Sequence, residues 1–258
     1  MGPSLSLSSQ GAESAAARAD LCSVCAVRSR SICGVFDQGY IGRLDTIAVR
    51  QLLETGETLF SEGEDAASLY VITRGCVKLY RMRADNQGQI IGFLFPADTL
   101  GLVPGRRYYS YTAEAVTATS VCGLTTGCME QLLTDFPQLQ GPFLSAVWDR
   151  FAYLQDQSQV LGREAAVERV ACFLDTLLAC QGSKVKSRDV LDLPMSHGDI
   201  ADFLELSHDA LSAAYSELKR RDVIDFVADE QVVIKARTRL AEIGGGENAC
   251  IFPVVAAT

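Results

Sequence analysis

The spacing of apolar residues changes once along this chain of 258 residues, near Pro142. Before that point, residues 56–126 contain short apolar runs such as SLYVITRG and CVKLYRM, separated by Gly, Asp, Asn and Pro. Many short runs at regular spacing predict an antiparallel sandwich or barrel. After it, the residues at intervals of three and four are mostly apolar, which predicts one long helix with a heptad seam. The seam positions are Leu144, Val147, Phe151, Leu154, Ser158 and Leu161.

The seam of the long helix needs a surface to cover it. It can pack against the barrel of its own chain or against the same helix of a second copy. With one helix of this kind in the sequence, we expect the second arrangement, a homodimer.

Residues 195–221 predict two short helices joined by a tight turn. Ser196 with Asp199 matches a capping box for the first helix, and Ser207 is a suitable N-cap for the second. Asp209 then falls in the first turn, beside the positive end of the helix dipole. Residues 223–234, VIDFVADEQVVI, predict a β-hairpin. Two helices followed by a hairpin are typical of a winged helix-turn-helix.

Three of the nine cysteines, Cys22, Cys25 and Cys33, lie close together near the N-terminus. The first 20 residues are small and polar and lack the features of a signal peptide, so we interpret them as a disordered tail. Without a secretion signal, metal binding or buried thiols explain the cysteines better than disulfides do. No apolar run approaches the roughly 20 residues needed to cross a bilayer, so we expect a cytoplasmic protein with no membrane partner.

A barrel, a long helix and a winged helix-turn-helix, in that order, resemble the catabolite-activator/FNR (fumarate-nitrate reduction regulator) superfamily of bacterial transcription factors. GETLFSEGEDAASLYVITRGCVKLYR is similar to the sensor-barrel signature of that family, and LPMSHGDIADFLELSHDALSAAYSELKRRDVI resembles its helix-turn-helix. The resemblance implies an α+β fold: a double-stranded β-helix (jelly-roll) barrel, a dimerisation helix and a C-terminal winged helix-turn-helix. The expected division is a tail over residues 1–20, the cysteine loop and barrel over 21–137, the dimerisation helix over 138–163 and the DNA-binding domain over 164–258.

The spacing Cys-x2-Cys-x7-Cys resembles the oxygen-sensing FNR branch. In that branch a fourth cysteine on the barrel completes the ligands of a [4Fe–4S] cluster, and TSVCGL places Cys122 near that position. The resemblance therefore implies a cluster held by Cys22, Cys25, Cys33 and Cys122. Soft thiolate ligands suit such a cluster. A zinc site made of the same cysteines and a metal-free thiol switch remain open as alternatives.

The dimer seam departs from the pattern of the oxygen-sensing relatives. By our alignment those relatives can carry a carboxylate at the position of Leu154, where like charges oppose dimerisation without the cluster. Here the residue is apolar, and Asp156 falls beside the seam. We therefore expect a dimer even without the cluster.

The barrel lacks the motif that grips cyclic nucleotides in other members of the family. A Gly-Glu pair and an Arg-Ser pair hold the ribose and phosphate there, whereas this sequence has Gly101 before Leu102 and Tyr111 before Thr112. A buried phosphate needs a cationic partner. We therefore expect no cyclic nucleotide, although Arg106 and Arg107 supply charge in a nearby predicted loop.

The second helix of the helix-turn-helix resembles a recognition helix with altered chemistry. The family typically has Glu-x-x-Ser-Arg there, but this sequence has Asp209, Ser212 and Ala213, and Ala213 cannot donate to guanine or phosphate. Glu205 also replaces the usual small turn residue. The expected contacts with double-stranded DNA are Ser207, His208, Asp209, Ser212, Ala213 and Lys219.

Charge argues against strong DNA binding. The chain has a net charge of −9, and residues 195–258 carry six basic against eleven acidic side chains, a net charge of −5. Two interpretations follow: a regulator with altered or relaxed specificity, which we favour, or a domain that has lost DNA readout and acts through partner proteins. The resemblance also implies contact between RNA polymerase and the barrel loop Ala84–Gln89. Both histidines lie in the helix-turn-helix and no catalytic motif is present, so we expect no enzyme.

Overall fold

The computed structural model describes residues 22–36, 38–83, 88–102, 107–148, 165–181, 189–228 and 230–245. The described residues of the N-terminal half contain eight strands: β1 (Val49–Leu53), β2 (Thr58–Phe60), β3 (Ser68–Arg74), β4 (Val77–Met82), β5 (Gly88–Leu94), β6 (Thr99–Leu100), β7 (Thr112–Ala115) and β8 (Thr119–Thr125). They form two four-stranded sheets, ordered β1-β8-β3-β6 and β2-β7-β4-β5, and every strand pair is antiparallel. The predicted barrel is confirmed.

Alternating residues of both sheets fill the inside of the barrel. Val121 of β8 and Ile72 of β3 are fully buried, and they pack in one cluster with Val77 of β4 and Ala113 of β7. Since successive side chains of a strand point to opposite faces, the neighbour of Val121, Cys122, points to the outer face. That outer face is where the N-terminal segment lies.

Three helices accompany the barrel: α1 (Gln38–Ile47), α2 (Thr126–Asp135) and α3, described over residues 140–148. Of the predicted seam, Leu144 is 54% exposed, whereas Val147 packs against a buried cluster on the outer face of the barrel. Phe151, Leu154, Ser158 and Leu161 lie outside the described residues. Among the described helices, none is long and apolar enough to span a membrane.

The C-terminal half contains four helices and three strands in its described part. They are α4 (Ala166–Gln181), β9 (Asp189–Asp192), α5 (His197–Phe203), α6 (His208–Arg220), β10 (Ile224–Ala228), β11 (Gln231–Ile234) and α7 (Arg237–Gly244). The predicted hairpin is confirmed as β10 and β11, and β9 extends it to a sheet of order β10-β11-β9. Ser196 and Ser207 cap α5 and α6 as predicted, since each hydroxyl accepts a backbone N–H of the first turn.

The turn between α5 and α6 has an unusual backbone. Glu205 takes the left-handed conformation, with a φ of +53°. This conformation is sterically unfavourable for residues that have a Cβ atom, which explains why glycine is the usual residue there. The turn still closes, because the Leu206 amide donates to the Ala201 carbonyl at 2.9 Å.

The two halves pack directly against each other. The Phe93 ring of β5 lies 5.4 Å from the Phe203 ring of α5 and 6.3 Å from the Phe173 ring of α4. These residues belong to one apolar cluster that joins the barrel to the helix-turn-helix.

Candidate functional site

The cysteine segment is docked on the outer face of the barrel. It contains two short 3-10 helices, Arg28–Arg30 and Ile32–Val35. Its apolar side chains Val27, Ile32 and Phe36 are buried in one cluster with residues of β3 and β8. Burial of these side chains holds the thiols of the segment against the sheet that carries Cys122.

The structure places the four predicted ligands near one another. Cys22 interacts electrostatically with Cys33 and Cys122, and Cys25 with Cys33 and Cys122. Each thiol therefore lies within electrostatic range of at least two others. Cys22 and Cys33 are buried, Cys25 and Cys122 are partly exposed, and Cys128 lies on the surface elsewhere. Cys33 and Cys122 are far apart in the sequence, and the docking of the segment on the barrel brings them close together.

The thiols do not converge on one point. Within the described ranges, no group of three or more His, Cys, Asp or Glu side chains has the arrangement to hold a single metal ion. A zinc ion, bonded at about 2.3 Å to each sulfur, would require such convergence. A four-iron cluster is larger, and four cysteine thiolates are its usual ligands. The donor set, four cysteine thiols, has the chemistry that such a cluster requires.

The two buried thiols, those of Cys22 and Cys33, have different polar and charged neighbours. The Asp45 carboxylate of α1 accepts the Cys22 amide at 3.0 Å. Burial, and then hydrogen bonding to Asp45, raise the pKa of the Cys22 thiol well above its usual range. Burial raises the pKa of Cys33 to about 12, while Ser31 and Arg28 partly oppose this shift.

Cys122 has a basic neighbour across the strand. Burial raises its pKa, and the charge of Arg50 opposes the change. The two residues face each other in the pairing of β1 with β8. The sequence reasoning missed both Asp45 and Arg50, because only the docking and the strand register bring them to the thiols.

Aromatic rings pack together inside the barrel near Tyr111 and Thr112. Phe60 stacks on Tyr109 at 3.8 Å and lies 5.7 Å from Tyr111. The Tyr109 hydroxyl donates to the Ser68 carbonyl at 2.7 Å, and the Tyr111 hydroxyl accepts the Gly101 amide at 3.1 Å. Both hydroxyls therefore form hydrogen bonds with backbone groups of the barrel itself.

Of the two arginines in the nearby loop, Arg107 is described by the structure, and it has a carboxylate partner. Arg107 pairs with Asp65 at 3.2 Å, where both side chains are largely exposed. Arg106 lies outside the described residues. Thr112, at the second position of the absent pair, accepts the Glu62 amide at 3.0 Å.

The recognition helix α6 exposes the side chains expected to meet DNA. His208, Asp209, Ser212 and Ala213 are exposed, as is the cap Ser207. The opposite face of α6 is buried through Leu211, Ala214, Tyr215 and Leu218. Ser216 is also exposed, four residues after Ser212, and was missed although helical spacing places it on the same face.

The acidic side chains of α5, and Glu205 in the turn after it, point to the barrel. Asp199 pairs with Lys78 at 3.3 Å, and Asp202 accepts the Ile90 amide of β5 at 2.7 Å. Glu205 accepts from Gln89 at 3.0 Å. These three carboxylates contribute to the negative charge of the domain, but they are used in the contact between the two halves. Residues 84–87 of the predicted polymerase loop lie outside the described residues.

The basic residues at the far end of α6 are paired. Lys219, expected to contact DNA, lies 2.8 Å from Asp225 of the hairpin. Arg220 and Arg221 both pair with Glu217, at 2.7 and 2.6 Å. These hydrogen bonds lower the pKa of Glu217.

A barrel that carries a docked cysteine segment, joined to a winged helix-turn-helix with an exposed recognition helix, defines a transcription regulator. Two family models match the chain: "Cyclic nucleotide-binding domain" over residues 50–136 and "Crp-like helix-turn-helix domain" over residues 168–243. The chain belongs to the catabolite-activator/FNR superfamily of transcription regulators, in its FNR-like branch.

Individual relatives agree with this assignment. The chain is 32% identical over 211 residues to the nitrogen fixation regulation protein FixK of Bradyrhizobium diazoefficiens, covering 80% of this chain and 86% of that protein. It is 26% identical over 238 residues to the transcriptional activator protein FnrL of Cereibacter sphaeroides, covering 90% and 95%. The solved structure of FixK2 from Bradyrhizobium japonicum matches with a TM-score of 0.70 and 28% identity, covering 78% of this chain and 98% of that one. These relatives are transcription regulators, and the chain is not an enzyme.

Proposed function

We propose that this chain is an oxygen- or redox-responsive transcription regulator that holds a [4Fe–4S] cluster through Cys22, Cys25, Cys33 and Cys122. It acts in the cytoplasm, as a homodimer on promoter DNA and with RNA polymerase. The observation that carries the proposal is the docking of the cysteine segment beside Cys122. The domain bounds expected from the sequence are proposed unchanged, with the cysteine loop as part of the barrel domain.

The described residues suggest how the cysteine segment communicates with the long helix. When bound, the cluster supplies reactivity toward oxygen. Cys22 and Cys33 lie in the same apolar cluster as Phe143 and Val147 of α3. A movement of the segment away from the barrel therefore removes packing from the start of the dimerisation helix. This contact links the state of the thiols to the dimer seam.

Anaerobic purification with an absorption spectrum and analysis of iron and sulfide tests the cofactor. We expect a coloured protein with about four irons and four sulfides per chain, the composition of a [4Fe–4S] cluster. A colourless protein with stoichiometric zinc would overturn the assignment. The apo-protein is expected to sediment as a dimer, and a clean monomer at micromolar concentration would contradict that part.

The aromatic interior of the barrel supports the absence of a cyclic-nucleotide site. Phe60, Tyr109 and Tyr111 pack together inside the barrel, and the Thr112 hydroxyl accepts the Glu62 amide. Cyclic AMP is therefore expected to leave the melting temperature unchanged. A concentration-dependent rise in melting temperature would contradict this.

The exposed face of α6 supports direct DNA readout. Ala213 can pack against a thymine methyl, so the loss of arginine changes the site that is read. A gel shift on the inverted-repeat site of the family tests this, and Ala213→Arg is expected to strengthen binding there. No binding by either protein would favour the second function, a redox protein of this fold that acts through partner proteins. The pairing of Lys219 with Asp225 is the observation that favours this second function.

A further inference from the structure

One exposed stripe of α6 ends in a lysine that is already neutralised. Asp209, Ser212, Ser216 and Lys219 follow one another at intervals of three or four residues, and all four are exposed. Residues at this spacing share one face of a helix. The Lys219 ammonium therefore lies at the end of the face that is expected to meet DNA.

The carboxylate that neutralises Lys219 belongs to the hairpin. Asp225, at the start of β10, lies 2.8 Å from Lys219 and 3.2 Å from Lys235 of the segment that follows β11. The carboxylate also accepts the Phe226 amide at 3.0 Å, which keeps it in place. Asp225 thus makes with Lys219 the contact that a DNA phosphate would make.

We propose that Asp225 is an internal competitor for DNA phosphate, which occupies Lys219 and keeps it from the duplex, and so lowers affinity for DNA of any sequence. This inference rests on the proposed DNA-binding function. It is consistent with a recognition helix that keeps a basic end in a segment, residues 195–258, whose net charge is −5. Specific base contacts then contribute a larger share of the binding free energy, because the sequence-independent contribution is reduced.

The hydrogen bonds of Asp225 suit a conservative test. Asp225→Asn removes the charge, and the amide oxygen can still accept the Phe226 N–H. Lys235 keeps a second partner, since its ammonium also lies 2.8 Å from Asp222. The substitution therefore frees Lys219 without removing the anchors of the hairpin.

Binding to a random-sequence duplex, measured by fluorescence anisotropy over a range of salt concentrations, reads the phosphate contribution directly. Asp225→Asn is expected to bind about two- to fivefold more tightly at low salt, the range of an exposed ion pair. The slope of log affinity against log salt is expected to become more negative by about 0.9, which corresponds to one additional phosphate contact.

Two controls separate a specific competitor from a general change of charge. Glu242→Gln changes the charge of α7 by the same amount, and no cation in the described part of the chain pairs with this exposed side chain. It is expected to leave the affinity unchanged. In a Lys219→Met background, Asp225→Asn is expected to give no gain, because the cation it frees is absent.

Equal binding by wild type and Asp225→Asn would overturn the inference while leaving DNA binding intact. A gain that persists in the Lys219→Met background would also overturn it. If neither protein bound the duplex at the lowest salt, both the inference and the proposed DNA-binding function would fail.

Discussion

At the scale of single residues, Cys122 is set apart from the scattered cysteines by its position on a strand. The alternation of β8 buries Val121 and turns Cys122 outward, to the face that receives the N-terminal segment. Cys128, six residues further along, is exposed on α2. Position within the fold therefore distinguishes a candidate ligand from a surface thiol.

The burial of Cys33 predicts slow reaction with alkylating agents. In the reduced, metal-free protein at pH 7, Cys128 is expected to be modified first because it is exposed. Cys33, with a pKa of about 12, is expected to react more slowly, and about tenfold faster for each unit that the pH rises toward that value. Mass spectrometry of peptides after timed alkylation measures both rates. Equal rates for the two thiols would contradict the described packing.

Residue identities predicted the thiols but not their charged neighbours. The spacing of Cys22, Cys25 and Cys33, with the resemblance, was enough to indicate Cys122 as the fourth. Asp45 and Asp225 carry no signal of their own, because an isolated carboxylate is typical of any surface. Their partners, Cys22 and Lys219, are reached only after the helices and strands have packed.

At the scale of elements, strong local patterns led to correct predictions. The N-caps Ser196 and Ser207, the apolar face of α6 and the β10–β11 hairpin follow from local side-chain chemistry and spacing. β9 was not predicted, because its strand character depends on pairing with β11. The aromatic filling of the barrel was also missed, since Phe60 and Tyr109 meet only when β2 packs near the segment before β7.

The interior packing of Phe60 predicts a large contribution to stability. Its side chain is 3% exposed and stacks on Tyr109. Phe60→Ala is expected to lower the free energy of unfolding by about 3–5 kcal/mol, because it removes buried area and leaves a cavity. Denaturant unfolding measures the change, with the exposed Met82→Ala as control, expected within about 0.5 kcal/mol. A loss below about 1 kcal/mol for Phe60→Ala would show that the barrel interior is not packed in this way.

At the scale of the whole molecule, the two halves share a polar contact beside their common apolar cluster. The Lys78 ammonium lies 3.3 Å from both Glu114 of the barrel and Asp199 of α5, and all three side chains are mostly buried. A count of charges along the sequence could not predict this contact. The acidic count of residues 195–258 treats all carboxylates alike, whereas Asp199 and Asp202 face the barrel.

Removal of Lys78 is expected to loosen this contact. Lys78→Met leaves two partly buried carboxylates without their cation and is expected to lower the free energy of unfolding by about 1–3 kcal/mol. Lys235→Met, which breaks exposed ion pairs instead, is expected to have a much smaller effect. Unfolding curves recorded separately for each half of the chain show whether the two halves unfold together. Equal stability of Lys78→Met and wild type would contradict a contribution of this ion pair.

The central claim is that four particular thiols hold one cluster. Iron and sulfide content after anaerobic purification, compared between Cys122→Ala and Cys128→Ala, tests it most directly. We predict that Cys122→Ala loses most of its iron and sulfide and the visible absorption. Cys128→Ala is predicted to keep wild-type content, because its thiol lies on the surface of α2. Full iron and sulfide in Cys122→Ala would contradict the claim.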